Sequence, residues 1–484
     1  MKRRQAPWIL LFLSFALSAY CRGPADKGAF FQQVVSGMPD YREFLTVDEL
    51  HASLRGLKER YPDLVSLDTV GKTDLGSPIY EFRVGKGKRH ALLFGFPHPN
   101  EPIGSMMLHY LTEELAKNGK LRDFFDFTWH IVVCAEPDKA RLNEGWFKGT
   151  LTLTKYARNY YRPPSYQQVE WTFPVTYKKY KFDTPTPEAL ALMKIIDGNR
   201  IDFSFGLHNS GFGGVYYYWS RDVPELYPAF YAFIADQGLP LHLGEPEVPW
   251  GKKFDSRAMF QMLYFKEGYD WMEKYSPTPP EKMTSGGESS DDYVRDKYHG
   301  LTVNCELPYF YDPGIEDTAP SDMTRAEAVL KGLENERMFL GFLGDEYRKA
   351  KPLLTVRSPF VDAIEELLRT GEDEIVSQEN AVKAEKEYAK RATAAQKWDA
   401  VTLRKFYSVL NLGQFVRLLE FEKNRTAAAF PAVLQKVLNE SLAEFERSSG
   451  EAEREFSYTV VPIKKLASVQ LLTALYAMDY VQRL

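Results

Sequence analysis

Residues 89–119 read RHALLFGFPHPNEPIGSMMLHYLTEELAKNG, and this stretch indicates the fold class. It opens with an apolar run rich in leucine and phenylalanine that ends at glycine and proline, as a buried strand does. Pro102 then stands where a helix would begin, apolar residues recur at helical spacing, and Gly119 is a stop signal. The stretch therefore predicts a buried strand, a short polar loop and an amphipathic helix.

The same alternation continues along the chain. Residues 127–135, 201–207 and 300–307 are rich in β-branched and aromatic residues and predict strands, while residues 187–198 predict a helix. This order is typical of an α/β fold, in which helices cover the faces of a sheet.

The character of the chain changes after about residue 323, where strand signals almost vanish. Long charged amphipathic stretches follow, with many pairs of opposite charge four residues apart, as in solvated helices. We predict a signal peptide at 1–20, a linker at 21–45, a catalytic domain at 46–350 and a C-terminal helical domain at 351–484. We also expect that removing the residues after about 355 leaves the catalytic domain able to bind its metal.

Composition excludes some classes of protein. The chain has 484 residues, of which 44% are hydrophobic, so it can bury a large core. Its net charge is −5 and its basic residues are spread along the sequence. A nucleic-acid-binding protein would carry a clustered basic surface, so we expect no nucleic-acid partner.

The N-terminus resembles an export signal. Residues 2–4 are basic, an apolar run extends over 8–19, and small residues stand near its end. The run is short for a membrane span, which needs about 20 residues, so we expect a periplasmic or extracellular protein. Cys21 could carry a lipid, although Tyr20 before it is unusual for a lipoprotein signal. We expect membrane contact only if Cys21 is lipidated.

His98 and Glu101 stand three residues apart just after the first predicted strand. Catalytic zinc usually takes three protein ligands and keeps a fourth position open, and such a pair supplies two of the three. Taken alone, the pair equally fits a polar loop that caps the helix beginning at Pro102. His208 follows the predicted strand at 201–207. Ligands in α/β sheets gather at the carboxyl ends of strands, so His208 is the candidate third ligand.

Glu306 lies at the end of the strand predicted at 300–307. A carboxylate at that edge of the sheet could take a proton from water as a general base and return it to a leaving amine. The alternative for Glu306 is an ordinary surface glutamate at the end of a strand.

Three segments together resemble a known family. HPNE (98–101), LHNS (207–210) and CELPYF (305–310) are similar, in this order and spacing, to the M14 zinc carboxypeptidases of the carboxypeptidase A type. Weaker similarities lie in YARNYYRP (156–163) and TPE (186–188). The resemblance covers about residues 46–345. It implies a mixed, mostly parallel sheet flanked by helices, one Zn²⁺ ion, and a peptide substrate with a free C-terminal carboxylate.

The resemblance also implies roles for residues at the matching positions. The implied zinc ligands are His98, Glu101 and His208. Glu306 becomes the catalytic carboxylate, acting as the general base toward zinc-activated water.

Further roles concern the substrate. Arg158 aligns with the arginine that binds the substrate's terminal carboxylate, with Asn159 beside it as a second substrate-binding residue. A planar, always charged guanidinium suits this task. Arg141 is the candidate for stabilising the oxyanion. Asp291 is the candidate floor of the specificity pocket, where it would favour a basic side chain; equally, it could cap or solvate a loop.

Some family positions are altered. Ala157 stands where the family has an asparagine, and Lys155 where it has an aspartate that orients a zinc histidine, so another residue must do this. The tyrosine that closes over the substrate falls near Lys282 or Met283, and Tyr293 or Tyr298 are candidate replacements. Two alternatives to an exported metallocarboxypeptidase therefore stay open. One is a zinc deacylase or amidase of N-acyl amino acids, because HxxE followed by PIG also resembles the aspartoacylase and succinylglutamate desuccinylase branch. The other is a catalytically silent module that retains its metal.

Overall fold

A computed structural model of the protein describes residues 24–426 and 430–484. The predicted signal peptide (1–20) and Cys21 lie outside the described residues. Within these two ranges, no helix has both the length and the apolar character needed to cross a membrane.

Strands and helices alternate through the first two thirds of the described chain, and helices dominate the remainder. The strands are β1 (Val65–Lys72), β2 (Pro78–Val84), β3 (Arg89–Phe94), β4 (Phe127–Val132), β5 (Val175–Tyr177), β6 (Tyr180–Phe182), β7 (Phe203–Gly206), β8 (Tyr216–Trp219), β9 (Met259–Gln261), β10 (Leu301–Glu306), β11 (Phe310–Tyr311), β12 (Pro320–Thr324), β13 (Arg391–Thr393) and β14 (Thr459–Val460). The helices are α1 (Pro24–Ser36), α2 (Val47–Arg60), α3 (Ile103–Lys117), α4 (Gly119–Phe124), α5 (Pro137–Arg141), α6 (Leu153–Asn159), α7 (Pro187–Asn199), α8 (Tyr227–Asp236), α9 (Phe265–Tyr275), α10 (Pro280–Met283), α11 (Ser290–Tyr298), α12 (Arg325–Ala350), α13 (Pro359–Ala384), α14 (Ala394–Lys397), α15 (Arg404–Thr426), α16 (Ala432–Glu455) and α17 (Ile463–Arg483).

Eight of the strands in the described ranges form one central sheet, in the order β1-β2-β4-β3-β7-β10-β8-β9. The pairs β3–β4, β3–β7, β7–β10 and β8–β9 are parallel. The pairs β1–β2, β2–β4 and β10–β8 are antiparallel. The predicted α/β fold with a mixed, mostly parallel sheet flanked by helices is confirmed.

The stretch 89–119 forms the strand, loop and helix that its pattern predicts. β3 is buried from Ala91 to Phe94, and α3 begins directly after Pro102. Phe96 adopts a positive φ of 53°, which is unusual for a bulky residue and turns the chain from β3 into the polar loop. Gly104 in α3 packs directly on Leu207, because a Cβ atom at Gly104 would lie 2.3 Å from the Leu207 Cβ. The start of α3 is therefore fixed against the segment that follows β7.

The C-terminal helices share a hydrophobic core with the sheet. That core runs from Phe31 in α1 to Val481 in α17. α17 packs on α1 and α3, and α15 packs on α6. α12 packs on α13, α15 and α16, so the helical part begins before the predicted boundary at residue 351. One core thus runs through both predicted units, and the division at residue 351 stays a prediction.

The segment 21–45, expected to be a linker, contains α1. Phe31 in this helix is fully buried, and its ring packs edge-on against Tyr476 of α17 at 5.2 Å between centroids. Val34 and Val35 are buried in the same core. Part of this segment therefore belongs to the hydrophobic core, because the apolar face of α1 packs there. A helix this short gives only a weak periodic signal in the sequence.

Candidate metal centre and active site

Three neighbouring strands carry the candidate residues to one edge of the sheet. His98 follows β3 by four residues, His208 follows β7 by two, and Glu306 is the last residue of β10. β7 lies between β3 and β10 and is parallel to both. The carboxyl ends of these strands therefore meet at a common edge, where α/β sheets gather their ligands.

The three predicted metal ligands lie together. One ligand atom each from His98, Glu101 and His208 falls within 4.8 Å of the others, and all three side chains are buried. The Nδ1 atom of His208 is 3.2 Å from Oε2 of Glu101. Tetrahedral zinc with bonds of about 2.1 Å holds its ligands about 3.4 Å apart, so this cluster has the right size for one ion. Two imidazoles and a carboxylate also form a donor set found at catalytic zinc.

A buried ring nitrogen without a hydrogen-bond partner, and the charge states of the three side chains, are also as expected for metal ligands. Nδ1 of His98 is buried and has no hydrogen-bond partner among the described residues. Burial lowers the pKa of His98 and of His208, so both rings stay neutral, which is the form that coordinates a metal. Burial raises the pKa of Glu101 to about 8. A divalent cation would offset this penalty and hold Glu101 ionised.

Hydrogen bonds fix the loop that carries these ligands. The side-chain carbonyl of Asn209 accepts a hydrogen bond from the backbone N–H of Ile103 at 3.1 Å. The backbone N–H of Asn209 donates to Oε2 of Glu101 at 3.3 Å. Gln470 of α17 donates to the His208 carbonyl at 3.0 Å. The C-terminal helix therefore contacts the backbone of a candidate ligand directly.

Gln168 lies near His98 and is a candidate for orienting its imidazole, the role that the family gives to an aspartate at the position of Lys155. Its side chain opposes the lowering of the His98 pKa by burial. Its Oε1 accepts from Nε of Arg162 at 3.2 Å, and its Nε2 donates to the Pro163 carbonyl at 2.7 Å. Lys155, at the position where the family has an aspartate, instead donates to the Lys148 carbonyl. Gln168 was not identified from the sequence, because it lies in no motif and precedes a short helical turn.

Glu306 faces the metal cluster. Its Oε1 atom is 3.8 Å from Nδ1 of His208, and the residue is only 9% exposed. Burial raises the pKa of Glu306 well above its usual value, while the nearby His208 opposes this shift. A carboxyl group in this position can exchange a proton with a molecule bound beside the metal ligands.

A cavity of about 800 Å³ opens in front of the cluster. The side chains of His98, Glu101, His208 and Glu306 all line it. Arg162 lines it as well; its side chain is 33% exposed, and Nη1 lies 3.5 Å from Oε1 of Glu101. The cavity thus holds the metal cluster, an acid and a partly exposed guanidinium.

Three predicted substrate or oxyanion residues lie outside this cavity. Arg158 lies in a separate groove and forms an ion pair with Glu420 of α15. Asn159, in the same groove, donates to the Lys155 carbonyl at 2.9 Å. The structure does not bring either residue to the metal cluster, because α6 presents them to α15 instead.

Arg141, the last residue of α5, is absent from the residues that line the cavity. Its guanidinium binds Asp48 at 2.7 Å, Asp138 at 3.1 Å and the Ser77 hydroxyl at 3.0 Å. These partners satisfy its donors away from the cavity. The residue that does reach the cavity is Arg162, the second arginine of YARNYYRP. It lies three residues beyond the end of α6, where the chain has turned toward the cluster.

Asp291, the predicted pocket floor, is buried and lines the cavity. Its Oδ2 accepts from Asn304 at 2.8 Å, while Oδ1 has no partner among the described residues. Burial raises the pKa of Asp291 to about 6. Glu170 lines the cavity next to it, and the Ser290 hydroxyl lies 3.1 and 3.2 Å from its two oxygens. Burial, and then the neighbouring Asp291, raise the pKa of Glu170 well above its usual value.

The candidate replacements for the closing tyrosine lie elsewhere. Tyr293 and Tyr298 both donate to Asp197, at 3.0 Å and 2.9 Å, on the surface of α11. They are absent from the residues that line the cavity. Neither one therefore faces the metal cluster.

Known proteins resemble this chain in sequence and in structure. The zinc carboxypeptidase family model matches residues 50–298, more than half of the chain. Carboxypeptidase A from Helicoverpa armigera is a similar solved structure, with 13% identity, coverage of 59% of this chain and 72% of that chain, and a TM-score of 0.36. A metallo-carboxypeptidase from Burkholderia cenocepacia has 18% identity, coverage of 55% and 60%, and a TM-score of 0.32. No curated protein matches the chain. The family match shows that the chain belongs to the zinc carboxypeptidases and is a zinc metallopeptidase.

Proposed function

We propose that this enzyme removes the C-terminal residue from a peptide, with His98, Glu101 and His208 as its zinc ligands. The observation that supports this most strongly is the meeting of these three side chains within 4.8 Å, in a cavity that Glu306 also lines. The family match adds independent support, although it ends at residue 298, before Glu306.

Glu306 is the proposed general base. When bound, zinc supplies Lewis-acid polarisation of the scissile carbonyl and makes water more acidic. Glu306 takes the proton from the attacking water and passes it to the leaving amine, which separates from the acyl group as the peptide bond breaks. Its position in the cavity, with Oε1 3.8 Å from Nδ1 of His208, suits this proton transfer. His98 and His208 stay neutral in their buried positions and hold the metal through ring nitrogens.

Arg162 is the proposed binding residue for the terminal carboxylate, in place of Arg158. Its Nε donates to Gln168, which orients the guanidinium, and its Nη1 lies 3.5 Å from Oε1 of Glu101, a long contact at the wall of the cavity that Arg162 lines. Two other arginines of the cavity wall are paired: Arg325 with Glu245 at 2.6 Å and Arg404 with Glu336 at 2.6 Å. A peptide with a free C-terminal carboxylate would place its charge against Arg162, where a bidentate contact is possible.

Asp291 and Glu170 are the basis of a proposed preference for a basic C-terminal side chain. Burial raises the pKa of both acids, and repulsion from Asp291 adds to the shift of Glu170. A lysine or arginine side chain of the substrate would relieve this repulsion. Peptides that end in lysine or arginine should therefore have a higher kcat/KM than otherwise identical peptides that end in leucine.

The proposed function is tested with purified enzyme of known zinc content. Peptides with free and with amidated C-termini are assayed beside N-acyl amino acids. We expect turnover of free-carboxylate peptides only, lost in Glu306→Gln with zinc retained. Glu334→Gln is the matched control, because Glu334 is an exposed residue paired with Lys331 at 2.8 Å. Turnover of N-acyl amino acids alone would favour a deacylase, and bound zinc without any turnover would favour the silent module.

Export is a further part of the proposal. It rests on the basic and apolar pattern of residues 1–20 and on Cys21 after it. N-terminal sequencing of the mature protein and fractionation of cells that express wild type or Cys21→Ala test it. Cleavage near residue 20 supports export, and release of Cys21→Ala from the membrane fraction supports lipidation. An intact N-terminus in the cytoplasmic fraction would contradict both.

A further inference from the structure

The helices that follow Arg325 form one wall of the cavity. The opposite wall carries the metal cluster, and both walls line the same space of about 800 Å³. Cavity-lining side chains of the helical wall include Phe339, Leu340, Leu367, Arg404, Tyr407 and Asn411. None of the proposed zinc ligands lies on this second wall, because His98 and Glu101 follow β3 and His208 follows β7. It is in position to contact whatever enters the cavity.

Tyr407 stands out on this wall. Its side chain is 43% exposed, and it lines the cavity together with Tyr160, Glu247 and Glu306. An exposed tyrosine offers both ring surface and a hydroxyl group to a ligand. The surrounding protein and the nearby charges of Glu247 and Asp399 raise the pKa of the phenol. The hydroxyl is therefore a hydrogen-bond donor at neutral pH.

The position of Tyr407 is fixed relative to Arg162 by the packing of α15. Arg417, on the same helix, donates to the carbonyls of Asn159 at 2.7 Å and Tyr160 at 2.9 Å. Gln414 accepts a hydrogen bond from the Arg162 amide at 3.0 Å. These bonds tie α15 to the segment that carries Arg162 into the cavity.

Apolar packing holds α15 in the same place. The Phe406 ring, next to Tyr407, stacks on Tyr156 with centroids 6.1 Å apart. Gly413 lies so close to α6 that a Cβ atom there would be 2.1 Å from the Ala157 carbonyl oxygen. Tyr407 is thus presented by a rigid helix, which suits a binding residue because little entropy is lost when substrate binds.

We propose that the helical wall completes the substrate site, and that Tyr407 binds the peptide by donating a hydrogen bond to one of its carbonyl or carboxylate oxygens. This inference rests on the proposed peptidase function. A second wall also limits the substrate. Pockets of about 300–1,000 Å³ enclose ligands of drug size, so the cavity accepts a short peptide or an extended tail and excludes the C-terminus of a folded protein.

The first test compares full-length Tyr407→Phe and Tyr407→Ala with wild type on a tripeptide that has a free carboxylate. Loss of one hydrogen bond corresponds to roughly a 3- to 10-fold rise in KM for Tyr407→Phe, with kcat less affected. Tyr407→Ala should lose more, because ring contacts are also removed. Zinc content and melting temperature should stay at wild-type values. Tyr480→Phe is the matched control, because Tyr480 lies on α17 and is absent from the cavity lining.

Peptide affinity is also measured by calorimetry in the zinc-loaded Glu306→Gln background, where no turnover interferes. A higher Kd when Tyr407→Phe is added supports the inference. An unchanged Kd together with wild-type kinetics of Tyr407→Phe overturns the inference and leaves the proposed function intact. Absence of any peptide binding overturns both. A substrate comparison completes the test: the tripeptide should be cleaved, and a folded protein whose last helix ends at that tripeptide should not. Equal cleavage of the two would overturn the role of the wall.

Discussion

Arg162→Ala should remove most of the affinity for a substrate's terminal carboxylate. The guanidinium lines the cavity and is oriented by Gln168 through Nε. A hydrogen bond to a charged group contributes about 1.5–3 kcal/mol, and a bidentate contact makes two of them. Because the side chain is 33% exposed, solvent weakens the interaction, and we take the lower end for both bonds. The loss is then about 3 kcal/mol, or about 150-fold in kcat/KM.

The assay pairs two peptides that differ only in a free or an amidated C-terminus. Arg162→Ala should lose its activity on the free-carboxylate peptide, while any residual activity on the amidated peptide stays unchanged. Arg162→Lys should recover only part of the loss, because an ammonium group cannot make the bidentate contact. Arg158→Ala is the matched control, since Arg158 pairs with Glu420 in a groove outside the cavity. It should change kcat/KM by less than about twofold, because this partly exposed ion pair lies away from the cavity.

Zinc content must be measured for each variant, because Nη1 of Arg162 is 3.5 Å from Oε1 of Glu101. Rates are then compared per zinc-loaded enzyme. The reasoning is refuted if zinc-loaded Arg162→Ala keeps wild-type kcat/KM, or if Arg158→Ala shows the larger loss. The second result would mean that Arg158, as the motif alignment implies, binds the terminal carboxylate and that Arg162 does not.

Two further predictions concern stability. Burial, reinforced by Asp292 and Asp296, raises the pKa of Glu288 to about 8, above the value of an unfolded glutamate. Folding therefore favours its protonated form, and this contribution to stability is lost as pH rises from about 5 to 8. Glu288→Gln should raise the melting temperature at pH 8 and leave it nearly unchanged at pH 5; an equal shift at both values contradicts this. Truncation after residue 355 should abolish cooperative unfolding and zinc binding, because Gln470 and the shared core support the cluster. A truncated protein that folds and binds one zinc would contradict this and restore the expectation drawn from the sequence.

The central strands and the metal cluster were predictable because their signals are local. The apolar run before His98 and the helical spacing after Pro102 identify β3 and α3 within a few residues. The same holds for the strands that end near His208 and at Glu306. Once the strands are known to be parallel neighbours, the meeting of these side chains follows from the geometry of the sheet.

The substrate side of the cavity was not predictable in the same way. The choice between Arg158 and Arg162 depends on the residue at which α6 ends and on the direction the chain then takes. A shift of four residues changes which arginine faces the cavity, and sequence patterns place helix ends only to within a few residues. Glu170 and Gln168 come from a short irregular segment that has no periodic signal.

The role of the C-terminal helices was missed because a helical pattern shows an apolar face without showing its partner. α15 and α17 carry apolar residues together with charged ones, a pattern that equally fits the helices of a separate solvated domain. In the structure their apolar faces pack on α6 and α3. Tyr407 is one aromatic residue among many in such a helix, and only the packing of α15 on α6 directs it into the cavity.

The most direct test of the metal centre is the zinc content per chain of wild type and of His208→Ala, measured by plasma mass spectrometry after dialysis. We predict one zinc per wild-type chain and its loss in His208→Ala, with the circular dichroism spectrum unchanged. His109→Ala is the matched control and should keep its zinc. The His109 ring is hydrogen-bonded to the Tyr41 hydroxyl at 3.1 Å, and His109 is absent from the residues that line the cavity. Full zinc occupancy in His208→Ala, or a wild-type protein that binds none, would contradict the account.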